Sequence, residues 1–281
     1  MNRPTNGKPL SSRCVGAAIT LLVLVICADG ARAEADIDYD KLLADKTPAL
    51  VTVKFVLKIK SQWGDHDAER EATGAMIASN GLVLCANSHF GGGGWLQGSG
   101  ATAVPTDIKI LIGDDTEGLE ATVIARDTDL DLAWVRLKAP SKDKLPSIDL
   151  SKAAAPEIGD RLYAVNRLGK YFDRVAVVRE TRMGGVASKP RALYIPSGGS
   201  GALGLPVFNA AGEVVGVTIT QSPDSEEMEA SGGYMGGSVV ILPAEKAHKA
   251  TLRALKSVED EEEAEDKGEE DVEPEEGEDE E

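Results

Sequence analysis

The stretch Leu50–Lys60 constrains the fold of this chain more than any other. Val51, Val53, Phe55, Leu57 and Ile59 fall on one face, and Thr52, Lys54, Lys58 and Lys60 mostly fill the other. An apolar residue at every second position is the pattern of a strand with one buried face, because successive side chains of a strand point to opposite sides. Shorter apolar segments follow at Gly74–Ala78, Leu82–Ala86, Ile108–Ile112, Ala121–Ala125 and Leu132–Leu137. A second set lies at Leu162–Val165, Val175–Val178, Leu193–Ile195, Pro206–Phe208, Val214–Ile219 and Ser238–Ile241. Turn-forming residues separate many of them: Ser79-Asn80-Gly81, Gly113-Asp114-Asp115 and Ala210-Ala211-Gly212. Many short strands at this spacing predict an all-β sandwich or barrel. A short helix is expected over Ile37–Asp45. Another is expected over Ala244–Lys256, where Pro243 sits near the start and His248, Leu252 and Leu255 share a face.

The two ends differ in kind from this body. Arg3, Lys8 and Arg13 precede an apolar run from about Val15 to Ala28, and Ala31-Arg32-Ala33 offers small residues where a signal peptidase reads. Residues 1–33 are therefore expected to be a cleaved signal peptide, the run being shorter than the ~20 apolar residues a membrane span needs. At the other end, Glu259–Glu281 holds 17 acidic residues and one lysine, Lys267. That tail carries −16 and the first 33 residues +3, so only −4 of the net −17 belongs to the body between them. A near-neutral body gives no basic stripe for nucleic acid. The tail, 258–281, cannot bury apolar surface and is expected to be disordered and solubilising, leaving one globular domain over 34–257.

Chemistry narrows further. After cleavage the chain keeps one thiol, Cys85, so no internal disulfide can form. His66, His89 and His248 are far apart in sequence, and no Cys/His cluster has metal-ligand spacing, so neither a metal nor a cofactor is expected. The glycine-rich runs lack the Gly-Lys-Ser/Thr that completes a phosphate-binding loop.

Three segments carry the remaining signal, in chain order. The first is Gly74–Ala78, a turn at Asn80-Gly81, then Leu82–Ala86 followed by Asn87-Ser88-His89. The second is Asp127-Thr128-Asp129-Leu130-Asp131-Leu132-Ala133. The third is Gly201-Ala202-Leu203-Gly204-Leu205-Pro206-Val207, continuing through Gly212-Glu213-Val214-Val215-Gly216. In this order they resemble the trypsin-like serine peptidases, specifically the HtrA/Deg branch. That branch has a hairpin ending in Thr-Asn-x-His or Ala-Ala-His, an Asp-x-x-x-Asp-Leu-Ala motif, and Gly-Asn-Ser-Gly-Gly-Pro-Leu before Gly-Glu-Val-x-Gly. The resemblance spans most of residues 40–256, with Val239–Pro243 and the following helix closing it. It implies two antiparallel six-stranded β-barrels with the active site in the cleft between them.

The same resemblance assigns roles. His89 is the base, Asp131 the carboxylate that orients it, and the amides of Gly201 and Leu203 the oxyanion donors. Counting back from Pro206, the nucleophile position is Leu203, which has neither a proton to give nor a lone pair to attack with. Two alternatives stay open. Either Leu203 fills the position and the chain is a non-catalytic homologue that binds proteins or extended peptides, or three extra residues before Pro206 bring Ser200 to His89 and the chain is an active endopeptidase. A third possibility is a structural envelope protein that reuses the barrels. Cys85 is expected to be buried and inert rather than a substitute nucleophile. The segment Asn166-Arg167-Leu168-Gly169 also departs from the family, which tends to have a Gly-Asn-Pro turn there.

Overall fold

The computed structural model describes residues 37–91, 100–141, 143–199, 202–222 and 237–270. The alternating stretch at Leu50–Lys60 forms strand β1, with Val51, Val53, Phe55, Leu57 and Ile59 all buried. Five more strands follow: β2 (His66–Ala78), β3 (Leu82–Ala86), β4 (Thr102–Ile112), β5 (Leu119–Asp127) and β6 (Leu132–Leu137). They close into a barrel in the order β1-β2-β3-β6-β5-β4. The second barrel comprises β7 (Arg161–Arg167), β8 (Ala176–Ala187), β9 (Leu193–Pro196), β10 (Pro206–Phe208), β11 (Val214–Gln221) and β12 (Ser238–Pro243). Its order is β10-β11-β12-β9-β8-β7. Neighbouring strands pair antiparallel, for example Val53 with Ala72 on one side and Ile110 on the other. Closure removes the open sheet edges that would otherwise invite pairing with other chains.

Apolar side chains fill the interior. Phe55, Leu84, Ile110 and Leu132 are among the buried residues of the first barrel, and Leu162, Met183, Val207, Val215 and Ile241 form a separate cluster in the second. The all-β architecture of two six-stranded barrels and a terminal helix is thus the one the sequence resemblance implied. Several strands are longer than their apolar signal. β2 starts at His66 rather than Gly74, because its first half, His66–Glu71, pairs with β1 mainly through backbone, with one exposed ion pair between Lys54 and Glu69 at 3.5 Å, and leaves mostly exposed polar side chains.

Among the described residues, two α-helices frame the barrels. α1 (Tyr39–Lys46) is capped by Asp38, whose Oδ1 accepts from Lys41 N at 3.1 Å, and it buries Leu42. α2 (Ala244–Glu270) leaves β12 of the second barrel and reaches the core of the first. There Trp134 of β6 donates its indole N–H to Thr251 Oγ1 at 3.0 Å, and Thr251 donates onward to Ala247 O at 2.9 Å. A buried indole needs such a partner, so the helix is fixed in register on the barrel it does not follow in sequence. α2 also runs further than the expected Ala244–Lys256. Val258 is buried, and the helix continues to Glu270 through residues that are mostly good helix formers. Residues 1–33, read as a signal peptide, and residues 271–281 of the acidic tail lie outside the described residues. Among those described, no helix is long and apolar enough to cross a membrane.

Candidate active site

His89 sits on a 3-10 turn, Asn87–Phe90, that leaves the end of β3. The turn is held from three sides. Phe90 is buried and its ring lies 4.7 Å from that of Phe55. Arg126 of β5 donates from Nε to Asn87 Oδ1 at 2.6 Å and from a terminal nitrogen to Phe90 O at 3.0 Å. Burial lowers the Arg126 pKa, so a partly desolvated guanidinium is spent on fixing this one turn.

Asp131 supplies the third hold. It lies in the turn between β5 and β6, in the left-handed conformation at φ 50°. Asp127 Oδ1 accepts from Leu130 N at 2.9 Å and shapes that turn. The Asp131 carbonyl accepts from Asn87 N at 3.1 Å. Its buried carboxylate accepts from Ser88 N at 2.7 Å, Ser88 Oγ at 3.2 Å and Thr220 N at 3.2 Å. Thr220 belongs to β11, so this carboxylate joins the His turn of one barrel to a strand of the other. Burial pushes the His89 pKa down, while the charge of Asp131 and a backbone hydrogen bond with Leu203 push it up; burial wins.

The Leu203 segment meets His89 across the inter-barrel cleft. Gly204 is left-handed at φ 78°, and a Cβ there would collide with backbone atoms of Ala86 and Cys85, three and four residues before His89. Only glycine permits that approach. Gly204 N donates to Thr218 O at 2.7 Å and Thr218 N donates to Leu205 O at 3.0 Å, which ties the segment to β11. Leu205, in the place of the family's second glycine, is fully buried in the core. Leu203 itself is half-buried and, with His89, lines a cavity of about 230 Å³. Thr52 and Glu71 of the first barrel and Asn166 and Arg167 of the second complete its wall.

The structure therefore brings His89, Asp131 and Leu203 together. Ser200 and Gly201 lie outside the described residues. Cys85 is fully buried, and desolvation raises its thiol pKa to about 12, so it carries no nucleophilic thiolate. His66 is exposed on β2 and His248 is half-buried on α2, both on elements remote in sequence from this turn. Among the described residues no three His, Cys, Asp or Glu side chains are grouped to hold a metal. Sequence reasoning missed Arg126 and Thr220. The one readable signal was Arg126, a charge on a strand immediately before the Asp127–Ala133 motif.

Comparison with known proteins agrees with this geometry. Residues 72–217 match the profile of the trypsin-like peptidase domain, a span that includes His89, Asp131 and Leu203. The chain is 29% identical over 188 residues to a "Probable periplasmic serine endoprotease DegP-like" of Hahella chejuensis, an alignment covering 63% of this chain and 34% of that protein. Proteins of the same name match from Halomonas elongata, at 27% over 185 residues, and Pseudomonas fluorescens, at 29% over 194 residues. The Halomonas alignment covers 63% of this chain and 34% of that protein, the Pseudomonas one 65% and 35%. The chain thus matches about a third of the length of these curated relatives.

Proposed function

Because this chain belongs to the trypsin-like peptidase domain family, in its HtrA/Deg-type branch, we propose that it is an exported protein-binding domain whose catalytic machinery is incomplete. The observation that carries this reading is that Leu203 shares a cavity wall with His89. His89 lies on the turn that Asp131 holds, and the residue sharing its cavity offers an isobutyl group instead of a hydroxyl. An imidazole activates a nucleophile by taking its proton, and leucine has none to give. Losing the nucleophile of such a triad costs roughly a factor of 10⁶ in turnover. What remains is a cleft between two barrels, suited to an extended polypeptide that pairs with the backbone of the segments lining the cleft. Export follows from the basic and apolar pattern of residues 1–33, and the relatives named periplasmic support the same compartment.

The competing reading is an active endopeptidase with His89, Asp131 and Ser200 as its triad. A fluorophosphonate probe separates the two, because it bonds only to an activated serine. Our reading expects no labelling of the mature chain, together with saturable binding of a reduced, carboxymethylated protein that is recovered uncut. Labelling that disappears in Ser200→Ala would overturn it.

A further inference from the structure

A second pocket lies apart from the cleft. It forms between the start of α2, the end of β12 and the loop before β9, and it shares no wall residue with the cavity beside His89. Its volume of about 660 Å³ falls within the roughly 300–1,000 Å³ of small-molecule sites. It adjoins the turn that carries Asp131, because Leu130 lines it and Arg191 of its wall lies 3.7 Å from Asp129.

Every side chain lining this pocket is either cationic or apolar. Arg191, Lys246, Lys249 and Arg253 supply the charge, and leucine and alanine supply the rest. Lys246, Lys249 and Arg253 fall at i, i+3 and i+7 of α2 and so share one face. Lys246 stands where a cation is locally unfavourable: α2 begins at Ala244, and aligned peptide dipoles put partial positive charge at that end. Lys249 is answered by Glu245 at 2.6 Å, whereas Lys246 and Arg253 make no ion pair among the described residues. Four positive groups are thus gathered in a body of slight negative net charge, and a bound anion relieves their repulsion. Beside them Leu252 is 53% exposed, and the buried Leu130 and Leu242 close the floor. The methylene stems of the lysines and arginines extend the apolar wall while their heads stay at water.

The lack of a neutral polar side chain in this wall decides between occupants. A peptide here would place its N–H groups against side chains that only donate hydrogen bonds. An acyl chain has no such groups, and an anionic head accepts from Lys and Arg. We propose that this pocket binds a single-chain amphiphile with an anionic head, a carboxylate or a phosphate, whose head meets Lys246 and Arg253 and whose chain lies along Leu252. The site goes beyond the cleft reading and does not depend on it.

Calorimetry on the full mature chain tests this with dodecanoate and dodecyl phosphate, both below micelle-forming concentration. Acetate and uncharged dodecyl maltoside serve as the head and the chain alone. One saturable site is expected for the two anionic amphiphiles and none for acetate or the maltoside. Decanoate should bind roughly tenfold more weakly than dodecanoate, because it buries two fewer methylenes. Lys246→Gln combined with Arg253→Gln should weaken dodecanoate at least roughly tenfold, and Leu252→Asn should reduce the gain from chain length. All three side chains are exposed, so these changes are expected to leave the fold intact. Lys58→Gln combined with Lys60→Gln, the same loss of charge on exposed side chains of β1, should leave binding unchanged. Whichever head binds more tightly names the source, a fatty acid or a phospholipid. Equal losses in the two double variants would mean attraction by net charge alone and would overturn the site. Equal binding of the maltoside would overturn it as mere apolar adsorption. Displacement of dodecanoate by a peptide of residues 271–281 would overturn it in favour of the chain's own acidic segment, and so would the absence of saturable binding by either anionic amphiphile, in favour of an unoccupied surface.

Discussion

The Asp131 carboxylate holds the backbone N–H of Ser88 at 2.7 Å, and through it the turn that presents His89. The same carboxylate takes Thr220 N at 3.2 Å, so one buried group ties the turn that carries His89 to the second barrel. This pair acts structurally whether or not a reaction follows. Removing the acid is therefore predicted to cost stability. Asp131→Ala strands two backbone donors and forces alanine into a left-handed conformation, at a cost of about 2–4 kcal/mol by urea denaturation. Asp131→Asn keeps an acceptor and a residue type that tolerates positive φ, and should lose about half as much.

His89 is predicted to titrate below the ordinary histidine value of about 6.5, because burial outweighs the charge of Asp131. The unfolded chain then binds a proton at a pH where the folded chain does not. Stability due to this group is fully present above about pH 6.5, falls as pH drops through that value, and stops falling once the folded imidazole is protonated too. Imidazole NMR titration reads the midpoint directly. Asp131→Asn removes a charge that raises it, so the midpoint should fall further; a rise would show that Asp131 acts on His89 with the opposite sign.

Gly204→Ala is predicted to be strongly destabilising, by about 2–4 kcal/mol. The added methyl meets backbone of Ala86 and Cys85 rather than a flexible side chain, and the φ of 78° is itself unfavourable for alanine. Thermal and urea unfolding measure the loss, and an unchanged midpoint would mean that this contact between the barrels is slack.

Leu203→Ser is predicted to place a hydroxyl beside His89. The variant should react with a fluorophosphonate, the parent chain should not, and Leu203→Ser combined with His89→Ala should lose the reaction again. Labelling resolved by mass spectrometry identifies the modified serine. Modification at Ser200 in the parent would reassign the nucleophile.

Cys85 is predicted to be silent toward Ellman's reagent in the native mature chain and to react once on unfolding. Its sulfur is buried in β3 and its thiol pKa stands near 12. Reaction at the native rate of an exposed thiol would show that β3 opens readily.

Much of this was written in local pattern. The alternation in Leu50–Lys60 dictates a strand with one buried face, because side-chain direction depends only on neighbouring residues. Together with the eleven segments after it, that stretch marked by position all twelve strands of the described residues, and the motifs pointed to His89 and Asp131. The charged half of β2 was not legible, since His66–Glu71 has no buried face and its pairing with β1 uses backbone atoms common to every residue. Nor was the reach of α2, whose hold on Trp134 depends on Thr251, 117 positions away.

By itself the sequence determined the strands, their turns and the identity of the residue at each motif position. The tertiary structure decided what those residues touch. Asp131 meets Thr220 across 89 positions, and Leu203 and Arg167 share a cavity with His89, because two barrels close separately and then pack with these loops between them. Periodicity records which side of a strand is dry. It carries no information on which distant loop fills the cleft, because that follows from barrel closure and packing rather than from local preference.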